Sequence, residues 1–417
     1  LWAAILASSE TEAARGLLNA SAVRERAHEM LDLALSGRID GWRVDLDRLP
    51  ETARFVAEVI RDQYPDLKVP FHARWRHFVF GGRDLWSEMA APAGFTDADA
   101  RARAAFDLAI VSVLLDAGSG PGWRYRDATL GIDAARSEGL ALASLRMFQA
   151  GAFSNAADQP LRADAGELAT LSATELAEGF QVASDNPLAG LDGRAALLNR
   201  LGGQAALRPD LFARNDTPRP GGLYDEIKAR ASEGRLAAPV ILEVLLEALG
   251  PIWQDRLTLG GVDLGDTWHH PALKRDDATD GLVPIHKLSQ WLSYSLVEPL
   301  IAAGTEVTDL DGLTGLAEYR NGGLFLDMGV VVLTDPADAA RPWPVSDPRI
   351  VAWRSMTVAL LDRIAPLVRA ELGVSAEQMP LASVLEGGTW AAGRRIAATC
   401  RDGGGPPLTI LSDGTVF

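Results

Sequence analysis

The stretch Ala104–Gly118 constrains this chain more than any other. It reads as a helix buried on nearly every face and ending at a glycine cap. Such a helix needs a large core around it, and 417 residues are enough to build one. Asp107 sits inside the buried run, so it must find a partner or hold its proton more tightly than usual. Asp116 falls in the last turn, where its charge opposes the helix dipole, and Arg124 and Arg126 follow closely enough to neutralise it.

Other helices announce themselves by their caps and periodicity. Ser9–Glu12 and Ser172–Glu175 fit capping boxes, Thr96–Asp99 is a close variant, and Ser375–Gln378 is the glutamine version. Ala22–Ser36 carries apolar residues at helical spacing, Val240–Leu249 is a second helix, and Val351–Leu372 a third that Pro366 should kink or divide. Strand signals come late: Phe325–Thr334 is apolar and valine-rich, and Pro407–Phe417 alternates about a Ser412-Asp-Gly414 turn. The expectation is a mostly α protein, a single integrated unit over 1–417 with a small β hairpin near the C-terminus. Lobes at 1–155 and 165–417 are the alternative division.

Composition narrows the function classes. A formal charge of −16 argues against a nucleic-acid backbone as partner, so an anionic ligand must be met by a local arginine cluster. One cysteine, Cys400, rules out an internal disulfide framework and a multi-cysteine metal site, and a reducing cytoplasm is the simplest fit. No apolar run reaches the roughly 18 residues of a spanning helix, so no membrane partner is expected. Leu1–Ala7 is apolar but lacks the basic flank and cleavage pattern of a signal peptide. The chain opens without Met, which leaves room for residues upstream.

Ionisable groups concentrate between Gly265 and Gly329: Asp266, His269, His270, Asp280, His286, Lys287, Glu318, Arg320 and Asp327 stand among otherwise apolar residues. Buried charge is costly unless paired or used, so this is the candidate site. Asp280 is expected just before a helix over Ile285–Val297 with Pro284 near its first position, and Glu318 just before an apolar strand. Two carboxylates of this kind suit hydrolysis at a sugar carbon, one steadying the cationic transition state and a second group protonating the leaving atom. The plainer reading is that Asp280 caps and Glu318 pairs with Arg320. Phe71–Phe78 adds Arg74, Trp75, Arg76 and His77, with forked donors for an anion and a flat stacking face, or else a half-buried segment of paired cations. His72 and His77 are five apart, not the i, i+4 spacing of a helical metal pair.

These blocks resemble a known family. Phe71–Phe78, Ala104–Tyr125, Arg136–Ser154, Asp280–Leu296, Leu313–Val330, Leu385–Arg394 and the closing Ser412–Phe417 together look like the uracil catabolism protein 4 family, over essentially the whole chain. The resemblance implies a place in pyrimidine degradation through a ribosylurea-type intermediate, and a pathway rather than a reaction. Asp280-x-x-Val283-Pro284 is also similar to a block of the queuosine-nucleotide N-glycosylases, helical proteins related to DNA glycosylases. That likeness implies a DNA-glycosylase-like helical core and an N-glycosidic bond as target, with departures at Gly281, Leu282 and Ile285.

The resulting expectation is a metal- and cofactor-independent N-ribosyl hydrolase acting on a small nucleoside- or nucleotide-derived substrate. Asp280, Glu318 and His286 would carry the chemistry, and Arg74, Trp75, His77, Arg320, Trp390 and Arg394 would bind. Two alternatives stand beside it. One is a metal-dependent amidohydrolase using Asp266, His269, His270 and His286, although adjacent histidines point apart on regular elements. The other is a non-catalytic partner of the other uracil-degradation enzymes.

Overall fold

The computed structural model describes residues 2–116, 118–120, 122–213 and 217–411, with side chains from residue 9 onward. It is mostly helical, with short two-stranded sheets scattered along the described chain and none closed into a barrel. No described helix is long and apolar enough to cross a membrane. The described residues divide into two compact units, one of residues 2–72, 255–290 and 309–411 and one of residues 73–254 and 291–308. The boundary falls within the Lys287–Ala302 helix.

The first unit is organised by the Pro348–Leu372 helix. Asp347 caps its start by accepting from Arg349 N at 2.9 Å, Pro348 supplies a preset first residue, and left-handed Gly373 closes it. Its run from Ile350 to Leu361 is buried throughout, so it serves as a central rod for the helices Ala20–Leu35 and Leu49–Gln63. Pro366 does not divide it; the missing N–H costs one rung, and buried Ile364, Ala365 and Val368 hold the turn in place. Strand Trp42–Val44 pairs antiparallel with Val331–Leu333, and Thr267–His269 with Leu282–Pro284.

The second unit is built on Ala98–Leu114, whose residues from Ala104 to Leu114 are all buried, as its apolar run requires. It packs against Arg136–Gln149 and the turn Pro220–Gly222. Asp107 is fully buried on it, accepts from Gly221 N at 2.5 Å and faces Arg219 at 3.6 Å. Burial outweighs those partners and pushes its carboxyl up to about 6.

Several local expectations change. The helix ends at Leu114, short of Gly118, and Asp116 pairs with Arg74 at 3.2 Å. A fully buried guanidinium needs a counter-charge, while Arg126 is spent on Asp133 at 2.9 Å. Ser172–Glu175 is a true capping box, whereas Ser9 lies inside the Trp2–Arg15 helix, where no cap is called for. Asp97 rather than Thr96 caps its helix, its carboxylate accepting from Ala100 N at 2.7 Å. Phe325–Thr334 is not a strand throughout: Tyr319–Asp327 is helical and only Val331–Leu333 is extended. Glu318 caps that helix, and at Gly322 a Cβ would come within 2.9 Å of the Trp353 ring, so the glycine serves close packing rather than a turn. Near the C-terminus Thr409–Leu411 pairs in parallel with Pro342–Pro344, and the Ser412–Gly414 turn lies outside the described residues.

Candidate functional site

The ionisable cluster separates into three groups within the first unit. Asp266 is the hub of one. Its carboxylate takes both terminal nitrogens of Arg354 at 2.8 Å, Trp268 Nε1 at 2.6 Å and Lys287 N at 2.9 Å. Burial pushes this carboxyl up, but the Arg354 charge and these hydrogen bonds outweigh it and hold it below the usual range. The Asp266 carbonyl also accepts from Ile285 and His286, at 2.9 and 3.1 Å. The helix therefore starts at Lys287, after a paired strand Leu282–Pro284, and not at Ile285 as the proline suggested.

His286 occupies the joint at φ 51°, in the left-handed region, with its Nε2 3.1 Å from Leu17 O. Nε2 must carry a proton to make that bond, which leaves Nδ1 as the unprotonated nitrogen, buried and without a partner. Burial lowers its pKa. His270, also buried, accepts from Ala272 N through Nδ1 at 3.2 Å and is pushed down to about 4, chiefly by burial and then by the adjacent His269. Both of these histidines are hydrogen-bonded to backbone, and the Asp266 oxygens are committed to Arg354. Among the described residues no three His, Cys, Asp or Glu side chains gather as a metal-holding set.

Asp280 forms the second group. Its side chain is 43% exposed, accepts from Arg275 N at 2.8 Å and lies 3.7 Å from Lys274 Nζ. The Arg275 N–H, with the charges of Lys274 and His269 behind it, holds its carboxyl below the ordinary range.

Glu318 is the centre of the third. It caps the Tyr319–Asp327 helix, each carboxylate oxygen taking a backbone N–H at 2.6 Å, one from Arg320 and one from Asn321. The Arg320 guanidinium instead donates to Gly404 O at 2.7 Å and lies over the Tyr319 ring. Desolvation nevertheless raises the Glu318 pKa; the two N–H groups, the Lys287 charge and the nearby His72 imidazole pull back against it. A buried carboxyl that resists ionisation is the usual form of a proton donor.

Sequence reasoning missed the partners of Glu318. His72 is buried and its Nδ1 lies 2.6 Å from Glu386 Oε2. Glu386 stands in a π-helical turn, Val384–Thr389, a widened geometry that often marks functional sites. Trp390 follows it, 5.8 Å from the His72 ring, and Arg394 lies over Trp390 at 4.9 Å. This arrangement rests on the Trp390–Cys400 helix packing directly against the Glu318-capped helix. Gly393 permits it, because a Cβ there would collide with Arg320 O. His72 was legible only as one of two histidines in an aromatic, basic block. Glu386 carried no signal beyond its place in the Leu385–Arg394 block.

The structure thus brings Glu318, Arg320, Trp390 and Arg394 onto two packed helices. It places Asp280 on an exposed turn and His286 in the Asp266 hub. Arg74, Trp75 and His77 belong to the second unit. There Arg74 pairs with Asp116, Trp75 Nε1 donates to Ser295 O at 2.6 Å, and His77 lies edge-on to Trp291.

Comparison with known proteins agrees with the resemblance read from the blocks. The chain is 38% identical over 415 residues to "Protein urg3" of Schizosaccharomyces pombe, covering 98% of this chain and 100% of that protein. It is 36% identical over 432 residues to "Uracil catabolism protein 4" of Lachancea kluyveri, covering 95% of this chain and 97% of that one. A family model described as "Protein of unknown function (DUF1688)" matches residues 16–417, and the chain belongs to that family.

Proposed function

We propose that this protein acts in uracil catabolism as an N-ribosyl hydrolase, cleaving the N-glycosidic bond of a ribosylurea-type intermediate or its 5′-phosphate. The pathway is suggested by the name of the Lachancea relative. The reaction rests on one observation: Glu318 is a buried carboxyl of raised pKa, electrostatically coupled to Lys287 and to a histidine tethered by Glu386.

In this reading Glu318 donates its proton to the leaving nitrogen as the C1′–N bond breaks. Glu386 accepts a hydrogen bond from the His72 Nδ1–H, which leaves Nε2 unprotonated to take a proton from water as its oxygen adds to C1′. The products are urea and the free sugar. Lys287 stabilises the carboxylate that Glu318 becomes once its proton is given up. Trp390 supplies an apolar wall beside His72, and Arg394 is placed to meet a 5′-phosphate. Asp280 falls outside this set, because its carboxylate is solvated and bound to the Arg275 N–H.

Incubating the purified protein with ribosylurea and with its 5′-phosphate, and assaying urea, tests the reading. Glu318→Gln keeps the side-chain shape and should lower turnover by about 10²–10⁴-fold. Absence of urea with both compounds, from folded protein, would rule the reaction out.

A further inference from the structure

The second unit holds a groove of about 610 Å³ that the proposed reaction does not use. That volume is within the range of small-molecule sites, which is roughly 300–1,000 Å³. Its lining comes from the Ala98–Leu114 helix, the turn around Trp75, the short helix Leu85–Ala90 and the end of the Lys287–Ala302 helix.

Three aromatic side chains face it: Trp75, Trp86 and Phe95. Trp75 is held still by its bond to Ser295 O and by the edge of Phe78, with ring centroids 5.7 Å apart. Trp86 leans on it at 5.8 Å and 47°, too close for anything to slip between the two rings. A ligand ring must therefore stack from the groove side, against a wall that is already rigid.

Two arginines line the groove with donors to spare. Arg76 places Nη2 on both oxygens of Glu298, at 2.7 and 2.6 Å, while its Nε is buried with no hydrogen-bond partner. Arg101 is exposed and makes no side-chain hydrogen bond or ion pair among the described residues. The Arg101 donors are therefore open to a ligand that brings acceptors into the groove. Charge says which kind. Asp84, Asp97 and Glu298 also line the groove, so the formal balance of its lining is −1. That balance opposes a phosphate and suits neutral carbonyl oxygens. The Asp84 and Asp97 carboxylates already cap their helices, yet each oxygen keeps a lone pair for a hydroxyl donor.

We propose that this groove is a second small-molecule site that binds a neutral nucleoside with a planar, carbonyl-bearing base. The base stacks on the Trp75–Trp86 wall, its carbonyls accept from Arg101, and the sugar hydroxyls donate to the rim carboxylates. Choosing uridine as the probe rests on the pathway reading above; the ligand chemistry does not.

Isothermal titration of the full chain with uridine, UMP and 5,6-dihydrouridine tests it. Uridine should bind, UMP no more tightly than uridine, and dihydrouridine about fivefold or more weakly, since its ring is puckered and loses the stack. Arg101→Ala should weaken uridine about tenfold, and Ala98→Trp, which fills the groove from a helix surface, should abolish binding. Both variants should release urea at the wild-type rate, whereas Glu318→Gln should bind uridine normally. Absence of uridine binding, a preference for UMP above tenfold, or binding that survives Ala98→Trp would each overturn the proposal, whether or not urea release is found.

Discussion

Asp266 and Arg354 meet as a two-pronged pair, each carboxylate oxygen 2.8 Å from one terminal nitrogen of the guanidinium. Through it the Pro348–Leu372 helix grips the residue that also seats the first N–H of the Lys287–Ala302 helix. Lys287, whose charge lowers the Glu318 pKa, thus owes its placement to Asp266, a residue outside the proposed reacting set. Asp266→Ala leaves Arg354 buried without this counter-ion and should cost about 3–5 kcal/mol in urea unfolding. An Asp266→Leu, Arg354→Met double variant should recover most of that loss. Because the folded pKa of Asp266 is depressed, its contribution is full above about pH 4 and disappears as pH falls through the folded value.

Asp107 has the opposite sign. With a folded pKa of about 6 against an ordinary 3.8, the folded chain holds this proton after the unfolded chain has released it. Stability therefore falls as pH rises from about 4 to 6 and then levels. An asparagine side chain cannot ionise, so Asp107→Asn should gain on wild type by about 2–3 kcal/mol between pH 4 and 6.5. Paired denaturation curves at the two pH values measure it, and a constant difference would refute the assignment.

The Glu386–His72 contact should show in kinetics more than in binding. Glu386→Gln keeps a hydrogen-bonding side chain but removes the charge that orients and supports the imidazole, so kcat should fall about 10–100-fold with KM little changed. Glu318 must be protonated to act, so kcat should decline as pH rises through its raised pKa. That limb should vanish in Glu318→Gln. A rise in KM with kcat unchanged would instead mark Glu386 as a binding residue.

Gly393 holds the two site helices together. Its Cα hydrogen faces Arg320 O, with no room for a methyl group. Gly393→Ala should destabilise the fold by about 1–3 kcal/mol and lower urea release further than that loss alone explains. Thermal melts and activity measured on the same preparation separate the two effects.

Local rules were enough for much of the helical framework. The buried helix read over Ala104–Gly118, though it ends at Leu114, the Ser172 capping box and the periodicity of Ala22–Ser36 are fixed by near neighbours, so they are legible along the chain. Asp107 could be recognised as a buried acid needing help because the residues around it on its own helix are apolar, although its partners, Gly221 and Arg219, come from far along the chain. The helix over Val351–Leu372 was legible but is not divided at Pro366, and the helical Leu324–Asp327 was misread as strand, since there packing against distant residues overrides the local signal.

The candidate site divides the same way. The sequence alone marked 265–329 as a stretch where charge is buried, and singled out Asp280 and Glu318 within it. It could not say which charges are spent on one another. Only the tertiary structure turned Asp266 toward Arg354, left Asp280 on the surface and carried His72 and Glu386 to Glu318 from opposite ends of the chain. Pairing of charges depends on distances between segments hundreds of residues apart, and no periodicity or spacing along the chain encodes those distances.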